Sequence, residues 1–273
     1  MERVLCIDVG GTRIKFAVLE RGFSPPTKED RVKWISTLGW LNASLPELLD
    51  PKNVDSPAHL AGAENFDAVA VCLPGEVNSV GEFHRDWLVI PNLKSAMQKY
   101  APEKSIRLFN DGHAWMSGVV RCRNDRTPLF FLGFGTGVAA AVSSKDGKVR
   151  NIEFSNEKNV WSSLIEVSKY SKSKEGWAVH RICGAPFFEW VKNNHTAREW
   201  RFSEICKQFT ARVSALIHDV QKNTVYLKGI NQVFLMGGHA SYINTDELPK
   251  TYTYVTSKDL DVPADMVPLI GML

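Results

Sequence analysis

The sequence predicts an α/β protein made of two similar halves. Short apolar runs rich in β-branched and aromatic residues alternate with stretches whose apolar positions recur at helical spacing, which is typical of α/β folds. The order hairpin, strand, helix, strand occurs twice, over residues 4–109 and again over residues 129–236. We therefore expect two lobes with a central cleft.

The individual elements are predicted from the spacing of apolar residues. A helix is indicated over 203–222, where apolar side chains recur on one face, and Thr196 and Glu199 before it have the spacing of a capping box. The segment 23–57, rich in proline, serine and charge, surrounds the apolar stretch 34–49 and is expected to hold the first lobe's helix with its loops. Beyond the first hairpin, the predicted strands are 67–73, 106–109, 129–134, 138–142 and 232–236.

The composition is that of a globular protein and argues against several classes of function. A chain of 273 residues with 44% hydrophobic and 23% charged residues can bury the core of one or two domains. The small, dispersed net charge of +3 argues against nucleic-acid and membrane-surface partners. The N-terminus lacks the regions of a signal peptide, and no apolar run reaches the ~20 residues of a membrane helix. Because the five cysteines have no C-x-x-C spacing, we expect a cytoplasmic location and no structural zinc site.

The first hairpin carries a pattern suited to phosphate. Its strands are joined by Gly10-Gly11-Thr12, and glycines in such a turn let backbone amides converge on an anion. Thr12 adds a hydroxyl group and Lys15 a positive charge, while Asp8 could hold Mg²⁺ through water. An ordinary hairpin is the alternative, because Gly-Gly is common in tight turns.

Two further glycine turns follow apolar strands in the second half. Gly135-Thr136-Gly137 again joins two strands, so it repeats the phosphate-binding pattern. Gly237 and Gly238 follow the last apolar strand, where a flat ring could approach the backbone. Each pair alone fits a plain turn. Their order on repeated halves favours a nucleotide or polyphosphate ligand.

Asn110 and Asp111 end a strand between the two phosphate-binding candidates. A carboxylate that faces the cleft from a strand end is well placed to accept a proton from a hydroxyl group that attacks phosphorus. A helix N-cap is the alternative role, since asparagine and aspartate are favoured there. The two roles are compatible, and we interpret Asp111 as the candidate general base.

These motifs, in this order, resemble the ROK family (repressors and sugar kinases) of the actin-like ATPase superfamily. The resemblance covers nearly the whole chain. It rests on a first phosphate motif at 8–15, a P-G-x-V turn at 74–77, a P-N-L loop at 91–93, an N-D pair at 110–111, a second phosphate motif at 135–137, a nucleotide-side glycine turn at 236–238 and a final helix at 262–273 that folds back onto the first lobe.

The resemblance implies two ribonuclease-H-like lobes with a central cleft, the first formed by 1–110 with the helix 262–273 and the second by 111–261. It implies a kinase that uses ATP and Mg²⁺ to phosphorylate a hydroxyl of a glucose-like hexose or an N-acetylated hexosamine, with Asp111 as the base. A homodimer is implied in the same way. The residues implied to bind sugar are Gly75, Asn92, Asn110, Glu153 and Asn156. Those implied to bind nucleotide and phosphate are Asp8 (also near Mg²⁺), Gly10, Gly11, Thr12, Lys15, Gly135, Thr136, Gly137, Gly237 and Gly238.

The chain departs from the family pattern in two places. Where the family has E-x-G-H, this sequence keeps Glu153 but has Asn156 in place of the histidine, so we expect an altered sugar preference rather than inactivity. The family's cysteine-rich zinc loop is missing, because no cysteine lies between Cys122 and Cys183. This zinc-free layout resembles the polyphosphate glucokinase branch.

Other interpretations stay open at this point. A polyphosphate-dependent glucokinase is one, and a non-catalytic sugar- or nucleotide-binding protein, favoured by the missing histidine, is another. DNA binding is not expected, because the hairpin begins without the helix-turn-helix of the ROK repressors. The basic residues that could form a polyphosphate track are too sparse to decide: Arg13, Lys15, Arg85 and Lys94. Surface or packing roles are expected for His84, His113, His180 and His239.

Overall fold

Two five-stranded β-sheets organise the chain, one in each of two units. One unit comprises Met1–Asn124 together with Leu260–Leu273, and the other comprises Asp125–Asp259. The computed structural model describes residues 1–22, 32–37, 40, 44–85, 88–123, 127–152, 154, 162–163, 177–194, 202–223 and 225–273.

The main sheet of the first unit combines an antiparallel hairpin with parallel strands. The strands of this unit are β1 (Arg3–Val9), β2 (Arg13–Glu20), β3 (Lys33–Ser36), β4 (Ala68–Leu73), β5 (Glu76–Val77), β6 (Phe83–Arg85), β7 (Leu88–Ile90) and β8 (Ser105–Asn110). The main sheet has the order β3-β2-β1-β4-β8, and β5, β6 and β7 form a small second sheet. In the main sheet β1, β2 and β3 pair antiparallel, whereas β4 and β8 run parallel to β1.

The second unit repeats this arrangement strand for strand. Its strands are β9 (Leu129–Phe134), β10 (Val138–Ser143), β11 (Val149–Asn151), β12 (Gln232–Met236) and β13 (Thr253–Thr256). Their order is β11-β10-β9-β12-β13, with an antiparallel hairpin, an antiparallel edge strand and two parallel strands. The predicted α/β fold with a repeated hairpin-and-strand order is confirmed.

Seven α-helices are found among the described residues. They are α1 (Pro57–Ala61), α2 (Leu93–Gln98), α3 (Asp111–Cys122), α4 (Trp177–Cys183), α5 (Ala185–Asn194), α6 (Phe202–Asn223) and α7 (Val267–Gly271). Shorter 3₁₀ turns lie at Leu45–Leu49, Ala63–Asn65, Val225–Leu227, Ala240–Tyr242, Thr245–Glu247, Ser257–Asp259 and Ala264–Met266. None of the helices in the described part of the chain has the length and apolar character to cross a membrane.

The predicted strands and the helix over 203–222 are present, and the segment 23–57 differs from expectation in its described part. There, the described residues form β3 and the 3₁₀ turn Leu45–Leu49, and the first α-helix among the described residues begins at Pro57. The strand β3 arises from tertiary pairing, because it satisfies the open edge of β2, with Ile35 opposite Ile14. The proposed capping box lies outside the described residues.

The central strands of the first unit are buried on both faces, as in sheets covered by helices on each side. On one face, Leu5, Ile7 and Val9 of β1 pack in a cluster that includes residues of Leu45–Leu49 and α2. The alternate side chains Val4 and Cys6 are also buried but belong to the opposite face. There, α7 contacts β1 and β2, and α3 contacts β4 and β8.

Helices α3 and α7 pack with their backbones in close approach. A Cβ atom at Gly118 would lie 1.8 Å from the carbonyl oxygen of Val267, and one at Gly271 would lie 1.8 Å from that of Ala114. Only glycine fits at both positions. This packing places 111–122 in the first unit, whereas the sequence-based boundary at residue 110 assigned it to the second lobe.

Helix α6 supplies the long apolar face of the second unit. Phe209, Val213, Leu216 and Val220 recur at helical spacing and are fully buried against the sheet. Each such side chain contributes about 1.5–3 kcal/mol through removal from water. The core positions the ends of β9 and β12, where the glycine turns lie.

Candidate functional site

The turn between β1 and β2 has the geometry of an anion cradle. The Gly10 amide donates to the Arg13 carbonyl at 3.0 Å, and a Cβ atom at Gly10 would lie 2.8 Å from that oxygen. Thr37, the residue after β3, holds the turn, because its Oγ1 donates to the Gly10 carbonyl at 2.8 Å and its amide donates to the Thr12 carbonyl at 3.3 Å. Within the described part of the chain, the amides of Gly11 and Thr12 form no hydrogen bond. These donors are therefore available to an anion.

Lys15 lies opposite Asp8 across the β1–β2 pair. Its Nζ is 3.7 Å from Asp8 Oδ2 and 3.0 Å from Asp265 Oδ1. The same atom is 5.2 Å from the ring centroid of Trp115 on α3. The positive charge of Lys15, which we expected to contact phosphate, is thus shared between two carboxylates. One of them, Asp265, lies in the C-terminal segment Leu260–Leu273.

Asp8 is a nearly buried carboxylate at the end of β1, only 4% exposed. Burial raises the pKa of Asp8, and the charge of Lys15 and a hydrogen bond from the Cys72 thiol offset that effect only in part. Burial also raises the pKa of Cys72 well above its ordinary value, with further contributions from the charges of Asp8 and Asp111. A cation at this edge would favour the ionised form of Asp8.

The donors present at this edge fit Mg²⁺ held through water. Mg²⁺ keeps several waters and uses one or two carboxylates together with substrate phosphates. Asp8 supplies such a carboxylate beside the free amides of the turn. Among the described residues, no group of three or more His, Cys, Asp or Glu side chains could form an all-protein cage.

The parallel strands bring three further predicted residues to the same edge. Asp8 pairs with Cys72 on β4, and Leu73 pairs with Asn110 on β8, so the C-terminal ends of β1, β4 and β8 are level. The Asn110 side chain donates to the Gly75 carbonyl at 2.8 Å. This bond ties the Gly75 turn to the strand end that carries Asp111.

Asn110 and Asp111 have distinct roles at the start of α3. Asn110 is the N-cap, since its Oδ1 accepts the His113 amide at 3.2 Å. Asp111 is the first helical residue, and its Oδ1 accepts the Gly112 amide at 2.7 Å. The capping role considered for this pair therefore belongs to Asn110.

Asn92 has an unusual backbone conformation. It precedes α2 with φ of 54° and ψ of 33°, and it has a positive φ that no other non-glycine residue in the described ranges shares. Its exposed side chain does not cap the helix. Asparagine tolerates this region better than most residues, and such outliers concentrate at ligand sites.

The turn between β9 and β10 is held by the start of α5 and by a histidine. The amide of Ala185 donates to the carbonyls of Gly135 at 3.1 Å and Thr136 at 3.2 Å. His180 Nδ1 accepts the amide of Val138 at 3.0 Å, and a Cβ atom at Gly137 would lie 2.9 Å from that nitrogen. Because Nδ1 is an acceptor, the neutral ring carries its proton on Nε2.

The glycines after β12 lie beside this second turn. Gly237 has a φ of +100°, and a Cβ atom there would lie 2.2 Å from the carbonyl oxygen of Phe134, the last residue of β9. The His239 amide donates to the same carbonyl at 3.2 Å. The His239 imidazole ring stacks on the Phe188 ring, with centroids 4.2 Å apart. Burial lowers the pKa of His239, and a hydrogen bond to the Gly135 backbone opposes that effect only in part.

The structure thus groups most predicted site residues within each unit. In the first unit, Asp8, Gly10, Gly11, Thr12, Lys15, Gly75, Asn110 and Asp111 share one sheet edge. In the second, the turn Gly135–Gly137 and the pair Gly237 and Gly238 share another. Asn92 is on a separate segment before α2, and Glu153 and Asn156 lie outside the described residues.

Sequence reasoning missed the residues that support these turns. Thr37, Asp265 and His180 make their contacts from distant segments, and nothing in their own neighbourhood marks them. Gly184 is a partial exception, since a Cβ atom there would lie 2.8 Å from the Thr136 carbonyl oxygen. An isolated glycine between two helical stretches is the available signal.

No protein-family model matches the sequence, and no curated protein matches it. Solved structures match it along its whole length. An inorganic polyphosphate/ATP-glucomannokinase from Arthrobacter sp. strain KM has a TM-score of 0.62 at 16% identity and covers 100% of this chain and 97% of its own. A glucokinase from Balamuthia mandrillaris in complex with glucose has a TM-score of 0.63 at 15% identity, with coverage of 99% and 92%.

A ROK family glucokinase from Streptomyces griseus, in complex with glucose and AMPPNP, has a TM-score of 0.58 at 12% identity and covers 99% of this chain and 97% of its own. Likeness at such low identity concerns the backbone arrangement. This chain has the fold of the ROK-family sugar kinases.

Proposed function

We propose that the chain is a ROK-type sugar kinase that transfers the γ-phosphoryl group of ATP to a hydroxyl group of a hexose. The observation that carries this proposal is the sheet edge of the first unit, where an anion-binding turn lies beside the carboxylates Asp8 and Asp111. Phosphoryl transfer needs this combination, because it depends on positioning and charge neutralisation more than on covalent chemistry. The fold supports the same reaction class.

In this reaction Asp111 accepts the proton of the attacking hydroxyl group. A bond forms between that oxygen and the γ-phosphorus, the bond to the leaving nucleoside diphosphate breaks, and the proton moves to the Asp111 carboxylate. The bond from the Gly112 amide fixes Oδ1 of Asp111, and the Asn110 cap fixes the start of the helix. The backbone of α3 therefore sets where the base lies.

The turn after β1 is proposed to bind the phosphate groups. The free amides of Gly11 and Thr12 would donate to phosphate oxygens, and Lys15 would add positive charge beside them. Asp8 would hold Mg²⁺ through water, and the bound ion neutralises charge that develops on the transferred group. The turn Gly135–Gly137 is proposed to make further phosphate contacts.

The nucleotide base is proposed to approach Gly238. A Cβ atom at this glycine would meet nothing within 4 Å, so the backbone there is open to a flat ligand. At Gly237, by contrast, the backbone at the end of β9 occupies the space that a Cβ atom would need. The two glycines thus have separate proposed tasks, one shaping the turn and the other leaving room for a ring.

The sugar is proposed to bind through Asn92 and Asn110. Each end of the Asn110 amide makes one hydrogen bond and keeps the capacity for another. Two of the similar structures hold glucose, which supports a hexose as the substrate class. Glu153 and Asn156 remain proposed sugar ligands on the resemblance alone.

The test is phosphoryl transfer by the purified chain. The protein is incubated with Mg·ATP and, separately, with glucose, mannose, glucosamine, N-acetylglucosamine and N-acetylmannosamine, and sugar phosphate is detected by mass spectrometry. At least one hexose is expected to be phosphorylated, and an Asp111→Asn preparation purified in parallel controls for contaminating kinases. Binding of sugar without transfer from any donor would contradict the proposal and favour a non-catalytic binding protein.

Polyphosphate is the second candidate donor. Arg13 is exposed directly after the turn, with its guanidinium 4.6 Å from the ring centroid of the exposed Trp34. One of the similar structures is a polyphosphate/ATP-dependent enzyme. Parallel assays with ATP and with polyphosphate decide between the donors, and Arg13→Gln is expected to weaken the use of polyphosphate more than that of ATP.

A further inference from the structure

Lys15 is held by three separate parts of the first unit. Its amine lies 3.0 Å from Asp265 in the C-terminal segment, 3.7 Å from Asp8 on β1, and over the ring of Trp115 on α3. The Lys15 side chain is only 20% exposed. The amine therefore has a defined position between two carboxylates and an aromatic ring.

The fold fixes the backbone of Asp265 although its side chain is 63% exposed. Asp265 belongs to the 3₁₀ turn Ala264–Met266, and the next residues, Met266 and Val267, are fully buried. Val267 begins α7, which the close approach at Gly118 locks against α3. The packing of the C-terminal segment therefore positions the Asp265 carboxylate beside Lys15.

The two carboxylates draw the Lys15 amine in different directions. Asp8 is buried, and Asp265 is on the solvent side. Without Asp265, Asp8 would be the one carboxylate left beside the amine among the described residues, and the proposed function assigns Asp8 to Mg²⁺. With Asp265 present, the amine is shared between two carboxylates, and its charge can act on a phosphate group bound at the turn after β1.

We propose that Asp265 is a positioning residue, which holds Lys15 in place for binding of the phosphate donor. This inference rests on the proposed function, because it takes the turn after β1 as the phosphate site. It assigns a task to the C-terminal segment beyond covering α3. In this role the segment would complete the site that binds the phosphate donor.

The test compares Mg·ATP binding by calorimetry, without sugar, in the full chain and its variants. Asp265→Asn is expected to raise the Kd for Mg·ATP about fivefold, the effect of an ion pair worth about 1 kcal/mol. Asp265→Glu should restore the affinity. Asp261→Asn removes an exposed carboxylate from the same segment and should leave it unchanged.

A double-mutant cycle separates positioning from general stability. In a Lys15→Met background, Asp265→Asn should cause no further loss of affinity, because its partner is already gone. In turnover, the variant should raise the KM for ATP and leave the KM for the hexose unchanged. Unchanged or tighter binding by Asp265→Asn, or losses that add in the double variant, would overturn the role of Asp265.

Failure of the proposed kinase function can be distinguished from failure of the role of Asp265. If the wild-type chain binds Mg·ATP with the pattern above but phosphorylates no sugar, the positioning role stands and the kinase proposal falls. If the wild-type chain binds neither Mg·ATP nor inorganic tripolyphosphate, both are overturned.

Discussion

At the scale of single residues, Asp111 is the position on which the proposed chemistry depends most. Asp111→Asn keeps an oxygen for the Gly112 amide but cannot accept a proton. We expect kcat to fall by about 10²–10⁴-fold, the usual contribution of a general base, with Mg·ATP binding unchanged. Steady-state kinetics and calorimetry check both expectations. Asp55→Asn, at an exposed position of the same unit, serves as control, and turnover retained by Asp111→Asn would remove Asp111 from this role.

The neighbouring glycines Gly237 and Gly238 offer a matched pair. Gly237→Ala forces a positive φ on alanine and drives its Cβ into the Phe134 carbonyl, so we expect a loss of about 1–3 kcal/mol or more in the free energy of unfolding. Gly238→Ala meets open space and should leave stability unchanged while weakening nucleotide binding. Urea denaturation and calorimetry separate the two effects. Equal nucleotide affinity in Gly238→Ala and wild type would argue against a base beside Gly238.

His239 makes stability depend on pH. Because burial lowers its pKa in the folded state below the ordinary 6.5, the unfolded chain binds this proton more readily. Stability is therefore expected to fall as the pH drops from 6.5 through the folded pKa. His239→Phe keeps an aromatic ring against Phe188 without a titrating group, so it should show a smaller fall, measured as urea midpoints between neutral and acidic pH. His113, whose pKa is also lowered by burial, contributes in the same direction.

At the scale of elements, the contact between α3 and α7 leaves no room for a side chain at Gly118 or Gly271. Alanine in an open helix position stabilises by about 1 kcal/mol relative to glycine. Gly118→Ala should instead destabilise, because its Cβ would lie 1.8 Å from the Val267 carbonyl oxygen. The free energy of unfolding is expected to fall by several kcal/mol, by analogy with overpacked cores, where the cost is about 1–3 kcal/mol or more. Ser117→Ala, one residue earlier, is the control, and a stabilised Gly118→Ala would show that the helices separate easily.

The elements that could be predicted from sequence are those whose signal is local. Strands such as 232–236 and the helix 203–222 carry their periodicity in adjacent residues, and each glycine turn is flanked by its own strands. Strand β3 could not be predicted in this way, because only its pairing with β2 makes it a strand. The same limit applies to the site: Asp8 and Lys15 are neighbours through one hairpin, whereas Asp265 reaches them only through the packing of α7.

At the scale of the whole molecule, the departure at Asn156 bears on substrate choice. The family resemblance expects a histidine there, and an amide can both donate and accept hydrogen bonds. Asn156→His is expected to change the order of preference among hexoses while activity is retained, because polar groups that meet sugar hydroxyls discriminate strongly. Ratios of kcat/KM over the sugar panel measure the change. An unchanged order would place Asn156 outside the sugar site.

The first unit is assembled from two separate segments, with Met1–Asn124 completed by Leu260–Leu273. During synthesis, the second unit is therefore finished before the first, although the first begins earlier. Until residues 260–273 leave the ribosome, the glycine-lined face of α3 has no cover and Lys15 lacks its outer carboxylate. A nascent chain stalled at residue 259 would carry every predicted glycine turn and still lack part of the first core, so synthesis of residues 260–273 is itself a condition for the proposed donor site.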